Sequence, residues 1–426
     1  MTKVLSARVD DAAVDASGSA STIASLARWL VLGRLANFTA GRLVLSEGGR
    51  DHVFGDPSPD ASPRAHIVVR SPALWKSVLL RGTVGAAEAY VRGEWSADDL
   101  VLVTRLFVRN RRAMSTLESG LARLSRPFLK LFHRARRNTR KRAVENIREH
   151  YDLGNDFYSL FLDSTMSYSC AIFADGAQDL EQASIAKLDR VFAKLELSRD
   201  DHLLEIGSGW GALACRAAER FGCRVTTTTI SAEQFAYANE LVRKRGLEGR
   251  VEVLLRDYRD LEGVYSKVVS IEMIEAVGLD RLNDYFRRVS NLTAPGGLAV
   301  VQGILIADRY FDEAAGSVDF IQRYVFPGSA LPSYAAIAAA IARETDLRTR
   351  HVEDIGPHYA PTLAAWRRRF FENVDKVGAL GFSERDVRLW DYYFCYCEGG
   401  FLEGAISVAQ FVWSKPERNR PSAIDA

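Results

Sequence analysis

From about residue 146 the chain alternates between two hydrophobic periods. The runs "DHLLEIG", "CRVTTTTI", "VEVLLRDY", "KVVSIEMI" and "GLAVVQGIL" are β-branched and of strand length. Between them, "GALACRAAERF", "SAEQFAYANELVRKRG" and "DRLNDYFRRVSNL" carry the spacing of amphipathic helices. Strand and helix in strict alternation predict an α/β fold, an open parallel sheet wound with helices on both faces. A late run, "AISVAQFVWSKP", is expected to close one edge of that sheet.

The rest of the chain divides around this region. At 426 residues, two domains are expected, each able to bury a core. Residues 1–21 are polar, acidic and small, a disordered tail without the apolar core of a signal peptide. Residues 22–110 mix an opening helical pattern, the strand-like "GRLVLSEG" and "RAHIVVRS", and a helical run ending at Gly-Glu-Trp, a small α+β domain without a chemical motif. Residues 111–145 form a basic helical linker, and 146–426 the larger α/β domain. Within the linker, "RLSRPFLKLFHRARRNTRKR" holds nine lysines and arginines and no acid, interleaved with leucine and phenylalanine. Two readings stand: a solvated helix, or a surface for anionic phospholipid, where each basic residue contributes roughly 1 kcal/mol.

Charge excludes less than it permits. With 56 basic against 54 acidic residues there is no overall bias toward nucleic acid, and none is expected as a partner. Five scattered cysteines point to reduced thiols in a cytoplasmic protein, and their spacing offers no metal site. No apolar stretch is long enough, free of arginine, to span a bilayer.

Ligands of wound sheets sit beyond the carboxyl ends of the strands. "LLEIGSGWG" puts Glu205, Gly207, Gly209 and Gly211 at the turn from the first strand of the α/β domain into its helix. Glycines there admit a ligand to the backbone and to the free N–H groups of the helix. The acid of E-x-G-x-G-x-G favours S-adenosylmethionine over a dinucleotide, because it can face a cationic methionine moiety and would repel a pyrophosphate. Thr229 and Gln234 follow the next strand and can bond ribose hydroxyls. Asp257 and Tyr258 follow the third strand, with Tyr258 able to stack on adenine, and Glu275 and Gln302 follow the fourth and fifth.

Seven ordered motifs, "HYDLGNDFYSLFLDSTMSYSCAIF", "LLEIGSGWG", "TISAEQ", "DYRDL", "EAVG", "FIQRYVFPGSALPS" and "CEGGF", resemble the cyclopropane-fatty-acyl-phospholipid synthase family, and "YVRGEW" resembles the N-terminal domain of its bacterial phospholipid enzymes. The resemblance implies a Rossmann-like class I methyltransferase domain that uses S-adenosylmethionine. It implies that Tyr168 and Ser169 contact that cofactor, and that a bicarbonate ion is held by the Cys170 backbone, Glu275, Ile304 and Tyr359. Cys170 then serves through its amide, and its thiol need not react. Where the best-known members carry histidine, this chain has Gln302, which can donate an N–H but cannot exchange a proton.

The implied reaction adds a carbon from S-adenosylmethionine to the cis double bond of an unsaturated phospholipid acyl chain. The enzyme has to align the alkene, stabilise the cation and direct the departing proton. Aromatic faces suit the cation, with Phe157, Tyr168, Tyr392 and Tyr393 as candidates. Proton loss from the incoming methyl closes a cyclopropane, the expected product; a prior hydride shift gives a methylene- or methyl-branched chain. A small-molecule methyltransferase and a non-enzymatic lipid binder are the competing readings. The resemblance further implies a homodimer, and the basic linker a cytoplasmic protein peripheral on the inner face of the membrane.

Overall fold

The computed structural model describes residues 18–58, 60–113, 153–173 and 179–417. The tail up to residue 17 and the basic segment 123–142 lie outside the described residues. The chain forms two compact units.

One unit gathers the described N-terminal residues with 312–327 and 363–405. Its sheet has the order β2-β1-β3-β4, made of β1 (Arg42–Glu47), β2 (Arg50–Gly55), β3 (Arg64–Val69) and β4 (Trp95–Ala97). Alternation along β1 and β3 turns Leu43, Leu45, Ala65, Ile67 and Val69 into the core, as the period of two requires. The helix Gly18–Leu35 and the helix Leu100–Arg109 pack on the same core, the latter capped by the Asp99 side chain at Leu102 N–H, 3.0 Å. The late helix Glu384–Leu402 opens with a capping box of Ser383 and Asp386 and buries Cys395 in this core.

The other unit carries the wound sheet, with strands β5 (His202–Ile206), β6 (Arg224–Thr229), β7 (Val251–Leu255), β8 (Tyr265–Ile271), β9 (Thr293–Ile306), β10 (Arg348–Asp354) and β11 (Ile406–Ser414). Their order is β10-β11-β9-β8-β5-β6-β7, parallel from β7 through β9 and antiparallel at β11 and β10. β11 therefore does not close the edge as expected from sequence. It lies between β9 and β10, and β10 forms the edge. That strand, "RTRHVED", is almost wholly exposed and charged, so it carries no apolar signal. Charge on an exposed edge is also what keeps a strand from pairing with another molecule.

Side chains cover both faces of the sheet: Val268, Phe286 and Trp413 on one, Phe192, Leu213 and Val300 on the other. The helices between strands start where short polar residues cap them, Asp179 before Leu180–Leu195 and Ser231 before Ala232–Lys244. Strand order reverses between β5 and β8, and a crevice at the carboxyl ends of those two strands is where such a sheet binds ligands.

Candidate active site

The turn after β5 is built on three positive-φ glycines, Gly207 at 96°, Gly209 at 49° and Gly211 at 92°. The N–H groups of Gly207 and Ser208 donate to the Thr228 carbonyl at 3.0 and 2.9 Å, tying the turn to β6. A Cβ on Gly211 would stand 3.1 Å from Ala238 Cβ, so this glycine serves helix packing. A Cβ on Gly209 would meet nothing within 4 Å, which leaves open space over the turn. That space, ahead of the helix Ala212–Phe221, fits S-adenosylmethionine, with Gly207 and Gly209 as the residues able to hold it.

The other predicted cofactor residues are brought to the same rim. Thr229 donates its hydroxyl to Gln234 Oε1 at 2.9 Å. Asp257 holds the Arg259 guanidinium at 2.8 and 2.5 Å, and Tyr258 meets Tyr285 edge-on at 5.6 Å. Glu205 is deeply buried and accepts from Thr227 Oγ1 at 2.6 Å; burial pushes its carboxyl up to about 8 against the pull of that bond and of the Lys187 ammonium. Tyr168 lies 5.4 Å from Tyr158 and 6.0 Å from Phe161. Tyr158 also packs on Phe157 and on Trp210 of the glycine turn, so an aromatic cluster joins the "YSC" segment to that turn. Tyr392 and Tyr393 belong to the first unit, where they pack on Phe320 and Trp390.

The residues assigned to an anion do converge, but on protein carboxylates. Directly after β8, Glu272 takes a left-handed φ of 49°, rare for a residue with a side chain. Its Oε1 accepts from the Cys170 N–H at 2.9 Å and from Gln302 Nε2 at 2.7 Å, and its Oε2 from the Tyr359 hydroxyl at 2.9 Å. Three residues on, Glu275 Oε1 accepts the Ile304 N–H, while its Oε2 is buried without a hydrogen-bond partner. The residues present do not fit the bicarbonate implied by resemblance, because these donors are already engaged by Glu272 and Glu275. A further anion here would meet like charge without a free donor from this set.

Burial raises both carboxyls: Glu272 upward against its three donors and Lys187, and Glu275 to about 8 through burial and the neighbouring Glu272 charge. The pair titrates as a unit. Three donors favour charge on Glu272, and Glu275, with one, keeps the proton. The folded chain then holds a proton on Glu275 that the unfolded chain releases near 4.5, so stability falls as pH rises from about 4.5 through 8. Glu275→Gln is expected to flatten that slope by about 1.4 kcal/mol per pH unit, read from thermal melts between pH 5 and 9; an unchanged slope would remove Glu275 from the account.

Three residues here were not singled out from sequence. Glu272 is one. Lys187 is another: it sits on the apolar face of the helix Leu180–Leu195, 2% exposed, with its Nζ 2.9 Å from Ser169 Oγ and its ammonium destabilised by burial. The third is Gln410 of β11, directly opposite Gln302 in register, whose Nε2 donates to Gln302 Oε1 at 2.8 Å.

Cys170 is fully buried, its thiol bonded at 3.3 Å to the Ala171 carbonyl and pushed far up by burial, so it is a thiol and not a thiolate. Cys170→Ala is expected to keep turnover within about tenfold of the parent, since the backbone N–H remains; complete loss in a folded variant would show that the thiol itself takes part.

A family model of mycolic acid cyclopropane synthetase matches residues 138–411. The chain belongs to the mycolic acid cyclopropane synthetase family. A tuberculostearic acid methyltransferase of Mycobacterium tuberculosis is 37% identical over 89% of this chain and 89% of its own. The cyclopropane-fatty-acyl-phospholipid synthase of Escherichia coli is 36% identical over 84% of this chain and 90% of its own. Among solved structures, a mycolic acid cyclopropane synthase complexed with SAH is 30% identical, covering 64% of this chain and 98% of that one with a TM-score of 0.59. This cyclopropane synthetase family member is thus an S-adenosylmethionine-dependent methyltransferase with the Rossmann-like class I fold.

Proposed function

We propose that this protein transfers the methyl carbon of S-adenosylmethionine to the cis double bond of an unsaturated acyl chain in a membrane phospholipid. The observation that carries this reading is the carboxylate pair Glu272 and Glu275, bonded to Cys170, Gln302, Ile304 and Tyr359 beside the glycine turn. A charged group poised to take a proton suits alkylation of a carbon–carbon double bond, whereas methylation of an amine needs no proton acceptor so deeply held. When bound, the cofactor supplies an electrophilic methyl group; Gly207 and Gly209 would hold it, with Tyr168 and Ser169 at its edge.

For the product, a methylene- or methyl-branched chain is favoured over a cyclopropane. Gln302 cannot pass a proton on as a histidine would, and a slower departure of the proton leaves time for a hydride shift along the chain. The likeness to a tuberculostearic acid methyltransferase over nearly the whole chain supports the same outcome. The cyclopropane product stands as the second reading, supported by the similar Escherichia coli synthase.

Access to a phospholipid requires contact with a bilayer. None of the described helices is long and apolar enough to cross one. On the helix Gly18–Leu35, Trp29 is 70% exposed and Leu26 56%, one turn apart, which supports attachment at the interface. The deciding experiment is incubation with methyl-labelled S-adenosylmethionine and vesicles of cis-unsaturated phospholipid. Label in an exocyclic methylene or methyl carbon is the expected result, label in a ring methylene selects the second reading, and no labelled lipid overturns both.

A further inference from the structure

We propose that Glu272 is the catalytic base of this enzyme, a carboxylate built into the chain that makes turnover independent of any bound bicarbonate. The inference rests on the lipid-alkylation reading and names the group that takes the proton.

Four observations carry it. The donors on Glu272, a backbone amide, a carboxamide and a phenol, come from three separate parts of the chain, at 2.7 to 2.9 Å. Together they hold an anion, not a neutral acid. Its backbone sits in the left-handed region, a conformation a glutamate keeps only when its surroundings impose it; here its own N–H is bonded to the Gln302 carbonyl at 2.8 Å. Unlike Gln302, which is fully buried, Glu272 keeps partial exposure, as a group that must meet a substrate requires.

The fourth observation is a directed chain of side chains behind it. Lys194 Nζ, itself paired with Glu353, donates to Gln410 Oε1; Gln410 Nε2 donates to Gln302 Oε1 at 2.8 Å; Gln302 Nε2 donates to Glu272. An amide can turn either face to a neighbour, and the lysine, which can only donate, sets the direction of both amides. Gln302 therefore presents N–H to Glu272. Gln410 and Lys194 are positioning residues for the base.

The step balances without oxidant or reductant. After the alkene has taken up a methyl group, a positive carbon remains on the acyl chain. For the methylene product a hydride first shifts from the methyl-bearing carbon to the positive carbon, which moves the charge to the methyl-bearing carbon, and a C–H bond on the new methyl then breaks; without that shift the same break closes the ring. Its electron pair forms the new carbon–carbon bond to the positive carbon, and the proton passes to Glu272, which becomes a carboxylic acid.

The test uses the full-length protein, labelled S-adenosylmethionine and unsaturated phospholipid vesicles, in buffer stripped of carbon dioxide and in the same buffer with added bicarbonate. The parent enzyme is expected to turn over at equal rates, within twofold, in both. Glu272→Gly removes the carboxylate at a position whose φ suits glycine; it is expected to lose at least tenfold in the stripped buffer and to recover with bicarbonate or formate, which fit the vacated donors. Glu272→Gln should lose as much and not recover, since its amide still fills the place. A parent enzyme that needs bicarbonate overturns the proposal. So does a Glu272→Gly protein that melts and binds S-adenosylmethionine normally yet keeps the parental rate in stripped buffer, or stays inactive with bicarbonate. A parent enzyme that labels no lipid in either buffer overturns the lipid reading itself, an outcome distinct from bicarbonate dependence.

Discussion

Gly211→Val is expected to unfold the glycine turn and abolish detectable methyl transfer. Gly211 has φ 92°, and a side chain on it would press on Ala238 at 3.1 Å for Cβ and 3.3 Å for Cα. A left-handed β-branched residue costs about 1–2 kcal/mol, and overpacking a close helix contact adds about 1–3 kcal/mol. In a domain of this size the sum lowers the melting temperature by about 10 °C. Gly209→Ala is the informative partner. It has φ 49° and no neighbour within 4 Å of the new carbon, so its effect on stability is expected to stay near 1 kcal/mol. Its effect should fall on cofactor affinity instead, because the methyl group fills the space over the turn. Melting curves and titration with S-adenosylmethionine separate the two, and equal destabilisation of both variants would defeat the distinction.

Lys187→Met is expected to cut turnover about a hundredfold at pH 7 and to move the acid limb of the kcat profile to higher pH. The ammonium is 2% exposed, and its charge is felt by Glu272, Cys170, Asp163 and Glu205. Among these Glu272 is the strongest partner. Removing a buried countercharge leaves the remaining anion unfavourable, so Glu272 takes up a proton at a higher pH than before. Its carboxylate form is the active one, so activity is lost first at low pH and returns as pH rises. A variant that loses activity equally at every pH, with no displaced limb, would give Lys187 a packing role only.

The larger lines of the fold could be read from the chain because strand and helix there follow clean periods of two and 3.6. β10 could not, since its exposed, charged side chains look like a loop. The glycine turn and the residues past β6 and β7 were legible by their position after strands. Glu272 was hidden by its neighbour. In "IEMIEAVG" the family motif draws attention to Glu275, whereas the residue immediately beyond β8 is Glu272. Lys187 was legible in principle as a charge in the middle of an apolar stripe, at spacing that buries it with Ala183, Ser184, Leu188 and Val191. Gln410 was not, because a lone amide in a buried strand has meaning only when the strand opposite and its register are known. The same holds for the anion site: resemblance pointed to the right donors, and only their geometry revealed that they grip a side chain of the protein.

One feature of the sheet bears on how the enzyme is made. β11, which carries Gln410, is the last strand in chain order among the described residues, yet it sits in the interior of the sheet beside β9. During synthesis, the glycine turn, both glutamates, Gln302 and Tyr359 all leave the ribosome before it. Until Ile406–Ser414 inserts, Gln302 has no partner to choose which end of its amide faces Glu272. A nascent chain, or one clipped ahead of β11, therefore carries the cofactor turn without a correctly addressed base. The chemistry waits for a strand translated after every other described part of the site.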